Sequence, residues 1–215
     1  MKKKKGLIIL LLIIAVLGAL AFWQKDNLKI LLQAGKFSTG ELEAQMDENQ
    51  RTLQDMLSNI SVREPTEEEM QALKNGELTP EELAKELVEA PNPEDPFSAD
   101  LSALIARVLL LQKLYVGKLE GLEAEAKTEY RTLPEEARAK SKLVKWAGGY
   151  IKRATQMEKE CDAQIDEIIG EMIDLIKKND GDTKIAEKVA FAYAEEKRLK
   201  KAWYLSRLEE GGLLG

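Results

Sequence analysis

The sequence predicts an all-α protein. An amino-terminal transmembrane or signal helix is followed by an extracytoplasmic helical region that includes an elongated three-helix antiparallel coiled-coil-like bundle. Apolar residues recur at helical spacing over most of the chain, prolines and glycines fall mainly between the periodic segments, and no segment alternates apolar and polar residues as a strand would. We divide the chain into the amino-terminal helix at 1–23, an acidic helical region at 24–90, a proline-rich linker at 91–97 and the bundle at 98–215.

The amino-terminal segment predicts a membrane anchor. Residues 2–5 are four lysines, and an uncharged run of 18 mostly apolar residues follows at 6–23. A transmembrane helix needs about 17 to 25 such residues, so this run is long enough. The positive-inside rule keeps the amino terminus in the cytoplasm and exports everything after Trp23. We therefore expect a single-pass protein of the cell membrane with an extracytoplasmic carboxyl-terminal domain.

The same run also has the layout of a secretory signal peptide. Residues 7–17 form an apolar core, and residues 19–21 read Ala-Leu-Ala, which fits the A-x-A cleavage pattern. Cleavage after Ala21 would give a secreted protein. Phe22 and Trp23 favour the uncleaved anchor instead, because aromatic rings of this kind gather at the membrane interface. Both alternatives export the rest of the chain.

Composition narrows the classes of function. All 38 acidic residues but only 28 of the 32 basic residues follow Trp23, and residues 41–100 alone hold 17 acids and 4 bases. This acidity argues against a nucleic-acid partner, whose phosphates need cations. The chain has no histidine and one cysteine, so the commonest acid–base residue, a thiolate cluster and an intramolecular disulfide are all missing. We predict no enzyme activity, no catalytic residue, no cofactor and no metal site.

The acidic region begins with a helix that carries a candidate interaction seam. Ser38 and Glu41 have the spacing of a capping box, which predicts a helix from there to about residue 60. An asparagine within an apolar seam can fix the register or the oligomeric state, whereas packing inside a bundle is the alternative. The seam comprises Leu42, Met46, Asn49, Leu53, Met56 and Ile60.

Two short helices and a linker follow. Thr66 and Thr79 are each followed three residues later by glutamate, and Gly76 lies between them, which predicts a helical hairpin. Residues 91–96 then contain three prolines, which favour an extended chain. This proline-rich segment is the predicted domain boundary.

The bundle at 98–215 is predicted from three long periodic segments. The first is capped by Ser98 and runs to about residue 131, the second restarts at Pro134 and runs to about residue 178, and the third runs from Thr183 to about residue 210. Cys161 lies on the apolar seam of the second helix. It is either a buried, inert thiol or one half of an intermolecular disulfide.

Two further surfaces are candidates for binding. Two glycines inside a helix lower its intrinsic stability by about 1 kcal/mol each. We therefore expect either close packing of another backbone or a kink of the helix between the two aromatic residues, and the functional alternative is a partner-binding notch at Trp146, Gly148, Gly149 and Tyr150. The last helix has a basic and aromatic face that suits an anionic surface, although basic residues also stabilise the carboxyl end of any helix. This face comprises Lys197, Arg198, Lys200, Lys201, Trp203 and Arg207.

The function expected from these features is that of a membrane-anchored extracytoplasmic helical scaffold or protein-interaction module. Its partners would be the membrane, through one span, and either another protein or a second copy of the chain. The alternative is a secreted or tethered binding module that takes a small ligand or a cell-envelope polymer.

Residues 179–182 have part of the pattern of a calcium-binding loop. We interpret them as an interhelical turn, because Ile176 and Lys178 would occupy ligand positions of such a loop and cannot bind calcium.

Overall fold

The computed structural model describes residues 36–56, 62–89, 95–138 and 140–210. Over these residues the chain is helical, and its one extended pairing is an isolated antiparallel bridge between Val62 and Val88. The predicted all-α class is therefore confirmed for the described part of the chain. No helix among these residues is long and apolar enough to cross a membrane, and the predicted span at 6–23 lies outside them.

Six α-helices are described. In chain order they are α1 (Thr39–Met56), α2 (Glu67–Asn75), α3 (Pro80–Leu87), α4 (Pro96–Thr132), α5 (Lys140–Lys178) and α6 (Lys184–Glu210), with a 3-10 turn at Glu135–Arg138. The predicted capping box opens α1, since the Ser38 N–H donates to the Glu41 carboxylate at 2.8 Å and the Glu41 N–H donates to the Ser38 hydroxyl at 3.3 Å. Local polar spacing therefore fixes where this helix begins.

The starts of α4 and α5 differ from the prediction. Ser98 is not the capping residue of α4: its N–H donates to the Asp95 carboxylate at 3.1 Å, and Pro96 is the first helical residue. Aspartate as the cap with proline next to it is a favourable helix start, and it lies one turn earlier than predicted. The segment after Pro134 first forms the 3-10 turn, so that α5 begins only at Lys140.

The predicted hairpin of α2 and α3 is confirmed, and both of its helices begin with a capping box. The hydroxyls of Thr66 and Thr79 each accept from the N–H of the glutamate three residues later, at 3.2 Å in both cases. Arg63 also donates two hydrogen bonds to Glu69, at 2.8 and 2.5 Å. These bonds, followed by the one from the Thr66 N–H, lower the pKa of Glu69 to about 2.

The described chain separates into two compact units. Unit A comprises residues 36–49, 119–157 and 194–210, and unit B comprises residues 50–118 and 158–193, each within the described ranges. The helices α1, α4, α5 and α6 contribute to both units. Each unit also draws on residues before and after the predicted linker at 91–97. The units therefore do not follow the predicted domain bounds, 24–90 and 98–215, which stay a prediction.

In unit B, α4 runs antiparallel to α5. Arg107 forms an ion pair with Glu171 at 2.5 Å, and the Gln164 amide donates to the Tyr115 hydroxyl at 2.8 Å. Residues later in α4 thus contact residues earlier in α5. The fully buried side chains of this unit are mainly large and aliphatic: Leu83, Leu87, Ile105, Leu110, Ile165, Ile168, Met172 and Ile176.

The wide apolar face of α4 has a second neighbour in unit B. Lys113 of α4 forms an ion pair with Glu64, which precedes α2. The Lys74 side chain of α2 lies 3.5 Å from the point where a Cβ on Gly117 would stand. The hairpin segment therefore contacts α4 at these polar positions. The apolar residues of α4 extend further around the helix than one neighbour can cover, so its sequence calls for a second neighbour.

A tight turn joins α5 to α6. Asp180 has the left-handed φ of 53°, and the Gly181 N–H donates to the Ile176 carbonyl at 2.9 Å. A Cβ on Gly181 would lie 2.9 Å from the Ile176 side chain, which is 1% exposed. The segment at 179–182 therefore serves as the turn that the sequence predicts, and glycine is needed there because the space beside Ile176 is filled.

Replacement of Gly181 by alanine should destabilise the protein by about 1–3 kcal/mol, because the new methyl group would overlap a buried isoleucine. The measurement is urea unfolding of the full chain followed by circular dichroism. The matched control is Gly170→Ala in α5, where no described atom lies within 4 Å of the built Cβ. The control should gain up to about 1 kcal/mol from helix propensity. Equal effects of the two substitutions would contradict the steric explanation.

Candidate functional site

The first half of the predicted α1 seam is covered by the chain itself in unit A. The Ser206 hydroxyl donates to the Phe37 carbonyl at 2.9 Å, and the Asn49 amide donates to the Glu196 carboxylate at 3.1 Å. These contacts make α1 antiparallel to α6. Leu42 is 0% exposed and Met46 8%. The side chains of the other seam residues lie outside the described set: Leu53, Met56 and Ile60.

The polar member of the seam, Asn49, is paired with a partly buried carboxylate. Burial raises the pKa of Glu196, whereas the hydrogen bond from Asn49 and the charge of Lys200 lower it. A polar pair inside an apolar interface disfavours other registers of the two helices. A shifted register would separate the two groups, and each would lose its hydrogen-bond partner. Asn49 therefore aligns α1 with α6 within one chain.

Three aromatic rings meet around the start of α5 in unit A. The Trp146 ring centroid lies 6.0 Å from that of Tyr130 and 5.1 Å from that of Tyr150. The Tyr150 hydroxyl donates to Glu129, and burial followed by this hydrogen bond raises the pKa of Tyr150. Within the described part of the chain, the buried indole N–H of Trp146 finds no acceptor. The cluster thus contacts α4 through Tyr130 and Glu129, and it contains one buried donor without a described acceptor.

The two predicted notch glycines face open space. No described atom lies within 4 Å of a Cβ built on Gly148 or on Gly149. Close packing of another backbone, the first of the two predicted explanations, is therefore not found among the described residues. The helix carries the conformational cost of both glycines without a described packing gain. Gly149 is exposed and Gly148 half-buried, so this strip of α5 is open as far as the described residues extend.

The amino-terminal part of α5 is strongly basic. Residues 137–157 contain six cationic residues and no acidic one, whereas residues 158–178 contain seven acids and three bases. The first turn of α5 holds no acidic residue. Cations there oppose the helix dipole, whose amino-terminal end is positive. The cations are Arg138, Lys140, Lys142, Lys145, Lys152 and Arg153.

Three of these cations form what we call the basic face: Lys142, Lys145 and Lys152. At about 100° per residue they fall within roughly 80° of the helix circumference, and Gly149 lies within the same arc. All three lysines are exposed, and no ion pair joins any of them to a described carboxylate. Arg153, by contrast, donates two hydrogen bonds to Glu125, each 2.7 Å long. The basic face is therefore uncompensated positive charge on the described surface.

The basic face is not apparent from the charge of long segments of the sequence, because residues 101–215 balance at 20 acids against 21 bases. The informative quantity is the 21-residue interval without a single acid at 137–157. To place these cations on one face, the residues at which the helix begins and ends must also be known, and these depend on the local sequence.

The basic residues predicted on α6 are largely engaged within unit A. Arg198 pairs with Glu195, and the Trp203 indole donates to Glu43 at 2.9 Å. Lys197 and Lys201 each interact with another group of the chain. Lys200 is half-buried and acts electrostatically on Glu196, whereas the Arg207 side chain lies outside the described set. Positive charge on α6 is thus mostly used to hold the fold.

Cys161 is a free thiol in the core of unit B and is 5% exposed. The Tyr193 hydroxyl donates to Asp162 at 2.7 Å and lies 3.4 Å from the Cys161 sulfur. Burial, followed by the bond to Asp162, raises the pKa of Tyr193. A buried thiol and a phenol held in its protonated form are poor nucleophiles. This placement agrees with the predicted inert thiol.

The described residues contain no group of three or more acidic or cysteine side chains arranged to hold a metal ion. Glutamates at the start of α2 serve as capping and dipole-compensating groups. No protein-family model, no curated protein and no solved structure matches the chain. Our candidate functional site is therefore the part of unit A where the described residues leave helix surface open and leave cations without a carboxylate partner: Trp146, Gly148, Gly149 and the basic face.

Replacement of Asn49 by leucine should destabilise the chain by about 1–3 kcal/mol, since Glu196 loses a hydrogen-bond partner at a partly buried site. The double variant Asn49→Leu, Glu196→Leu should recover most of this loss in urea unfolding. Burial raises the pKa of Glu196, so stability is gained as it is protonated, and the penalty of Asn49→Leu should shrink as the pH falls toward 4.5, the ordinary pKa of glutamate. A pH-independent penalty would sink this assignment.

Replacement of Lys142 by glutamate should stabilise the fold by about 0.3–1 kcal/mol, because an acid near the amino end of α5 suits the helix dipole. The measurement is the midpoint of thermal unfolding at low salt. Lys159→Glu, an exposed lysine in the middle of the same helix, is the control and should change stability by less than about 0.5 kcal/mol. A loss of stability in Lys142→Glu would mean that the lysine serves the fold.

Proposed function

We propose that the protein is a single-pass membrane protein whose extracytoplasmic helical domain acts as a scaffold or protein-interaction module. The observation that carries this proposal is the tetralysine followed by 18 uncharged, mostly apolar residues at 6–23. Unit A, which contains the first described residues after this run, also supports the proposal. Residues 36–49 pack along α6, so a span at 6–23 would be linked to the folded unit by only twelve residues, 24–35.

The proposal includes the elongated three-helix bundle as the body of the module. Contacts between the long helices in unit B support it. Gln164 of α5 donates a hydrogen bond to Tyr115 of α4, and Tyr193 of α6 donates one to Asp162 of α5. Long antiparallel helices expose large side surfaces and suit the recognition of other helices or of a second copy. The alternative, a secreted or tethered binding module, draws support from the surface at Gly149, where no described atom lies within 4 Å of a built Cβ.

The anchor is tested by expressing the full chain in a bacterial host and washing the membranes with alkaline carbonate. The chain should stay in the membrane fraction, begin at Met1 and lose its folded domain to protease added from outside. A variant with Leu10→Arg and Ile14→Arg interrupts the apolar run and should be released by the wash. A mature chain that begins at Phe22 would overturn the anchor and support the secreted alternative.

The module itself is tested by crosslinking on the intact membrane with an impermeant amine-reactive reagent. The expected result is one discrete species larger than the monomer, identified by mass spectrometry as a homodimer or as a complex with one other exported protein. A chain that stays monomeric at every crosslinker concentration, while remaining anchored, would contradict the scaffold function.

A further inference from the structure

We propose that the basic face of α5 binds the phosphate headgroups of anionic phospholipids and so lays unit A against the membrane. The inference rests on the proposed anchor for its choice of ligand, and on the described residues for its surface. It assigns a lipid-contact role to Lys142, Lys145 and Lys152, which the fold does not use in ion pairs with described residues.

The first step is charge. An ordinary solvent-facing helix surface mixes both signs, as α5 itself does at 158–178. The basic face instead lies in a 21-residue interval without any acid. Lys142, in the first turn of α5, also opposes the dipole of this helix, which costs the fold stability. A negatively charged ligand would neutralise the one-sided positive charge and remove the unfavourable interaction with the helix dipole. The phosphates of lipid headgroups form a continuous negatively charged surface that can do both.

The second step is shape. The built Cβ of Gly149 meets no described atom, so the surface between Lys145 and Lys152 lacks a side chain that would hold a flat partner away. Lysines can then extend around the strip to reach separate phosphates.

The third step is proximity. The basic face and residues 36–49 belong to the same compact unit. The twelve residues between that unit and the proposed span reach at most about 43 Å even when fully extended. Unit A is thereby held near the bilayer, at an effective concentration that makes weak electrostatic contacts sufficient. This nearness favours lipid over a soluble polyanion as the occupant.

The test places a fluorophore on the full chain, reconstituted in vesicles whose lipid headgroups carry an energy-transfer acceptor. Gly149→Cys is labelled in a Cys161→Ser background, and Gly170→Cys is the matched control, because a Cβ at either glycine meets no described atom. The vesicles contain phosphatidylcholine alone or with about 30% phosphatidylglycerol, which gives a negative surface potential. Thermal unfolding confirms that each variant is folded.

Energy transfer at residue 149 should rise with phosphatidylglycerol, while transfer at residue 170 should change little. Each surface lysine contributes about one kcal/mol of attraction, so Lys142→Gln, Lys145→Gln and Lys152→Gln together should lower the ratio of docked to undocked molecules about 100-fold. About 0.5 M sodium chloride should act similarly. The control variant neutralises three other exposed lysines of α5 and should keep the docked state: Lys159→Gln, Lys177→Gln and Lys178→Gln.

Flotation of the same samples separates failure of this inference from failure of the anchor. A chain that floats with both vesicle types, but whose transfer at residue 149 ignores phosphatidylglycerol or the triple Lys→Gln change, overturns the basic-face assignment and leaves the anchor standing. A chain that floats only with phosphatidylglycerol overturns the anchor and supports the basic face. Binding of polyphosphate or duplex DNA at residue 149, with no response to phosphatidylglycerol, overturns lipid as the ligand.

Discussion

The burial of α4 is the constraint on which the rest of unit B depends. The chain has one cysteine and no histidine, so neither a disulfide nor a histidine-bound metal reinforces its fold. Packing must supply the stability, and α4 buries side chains as far apart around its circumference as Ile105 and Leu110. One neighbouring helix cannot cover such a face. The α2–α3 hairpin contacts α4 near Lys113 and Gly117, and its residues Leu73, Leu83 and Leu87 are buried. Packing of these few apolar side chains, rather than intrinsic helix stability, therefore holds the short, acidic hairpin folded.

Charged and polar contacts mainly select among arrangements that apolar packing alone would allow. Asn49 with Glu196 aligns α1 with α6, and Arg107 with Glu171 aligns α4 with α5. Most of these groups are at least partly exposed, so each adds little stability in water. Their value lies in excluding shifted registers, since leucine-rich helices slide past one another at small cost. The basic face of α5 stands out because it makes no such contribution.

The sequence was sufficient wherever the determining interaction is local. The capping boxes at Thr66 and Thr79 and the turn at Gly181 follow from residues within five positions of each other. The start of α4 is harder to predict, because Ser98 and Asp95 can both cap a helix. Only the preference for proline at the first helical position favours Asp95. The pairing of α1 with α6 joins residues 147 positions apart, which periodicity cannot reveal. The basic face was missed because long averages hide a local absence of acids.

The burial of Cys161 gives this protein an internal reporter of its own motions. It is the chain's one thiol, and it lies in the core of unit B beside Tyr193, where α5 meets α6. A thiol reagent can reach the sulfur only when that helix pair separates. The labelling rate, compared with that of an unfolded chain, therefore reports how readily the packing around Cys161 opens. Substitutions elsewhere in unit B can thus be read, without any engineered probe, as a faster or slower reaction of this thiol.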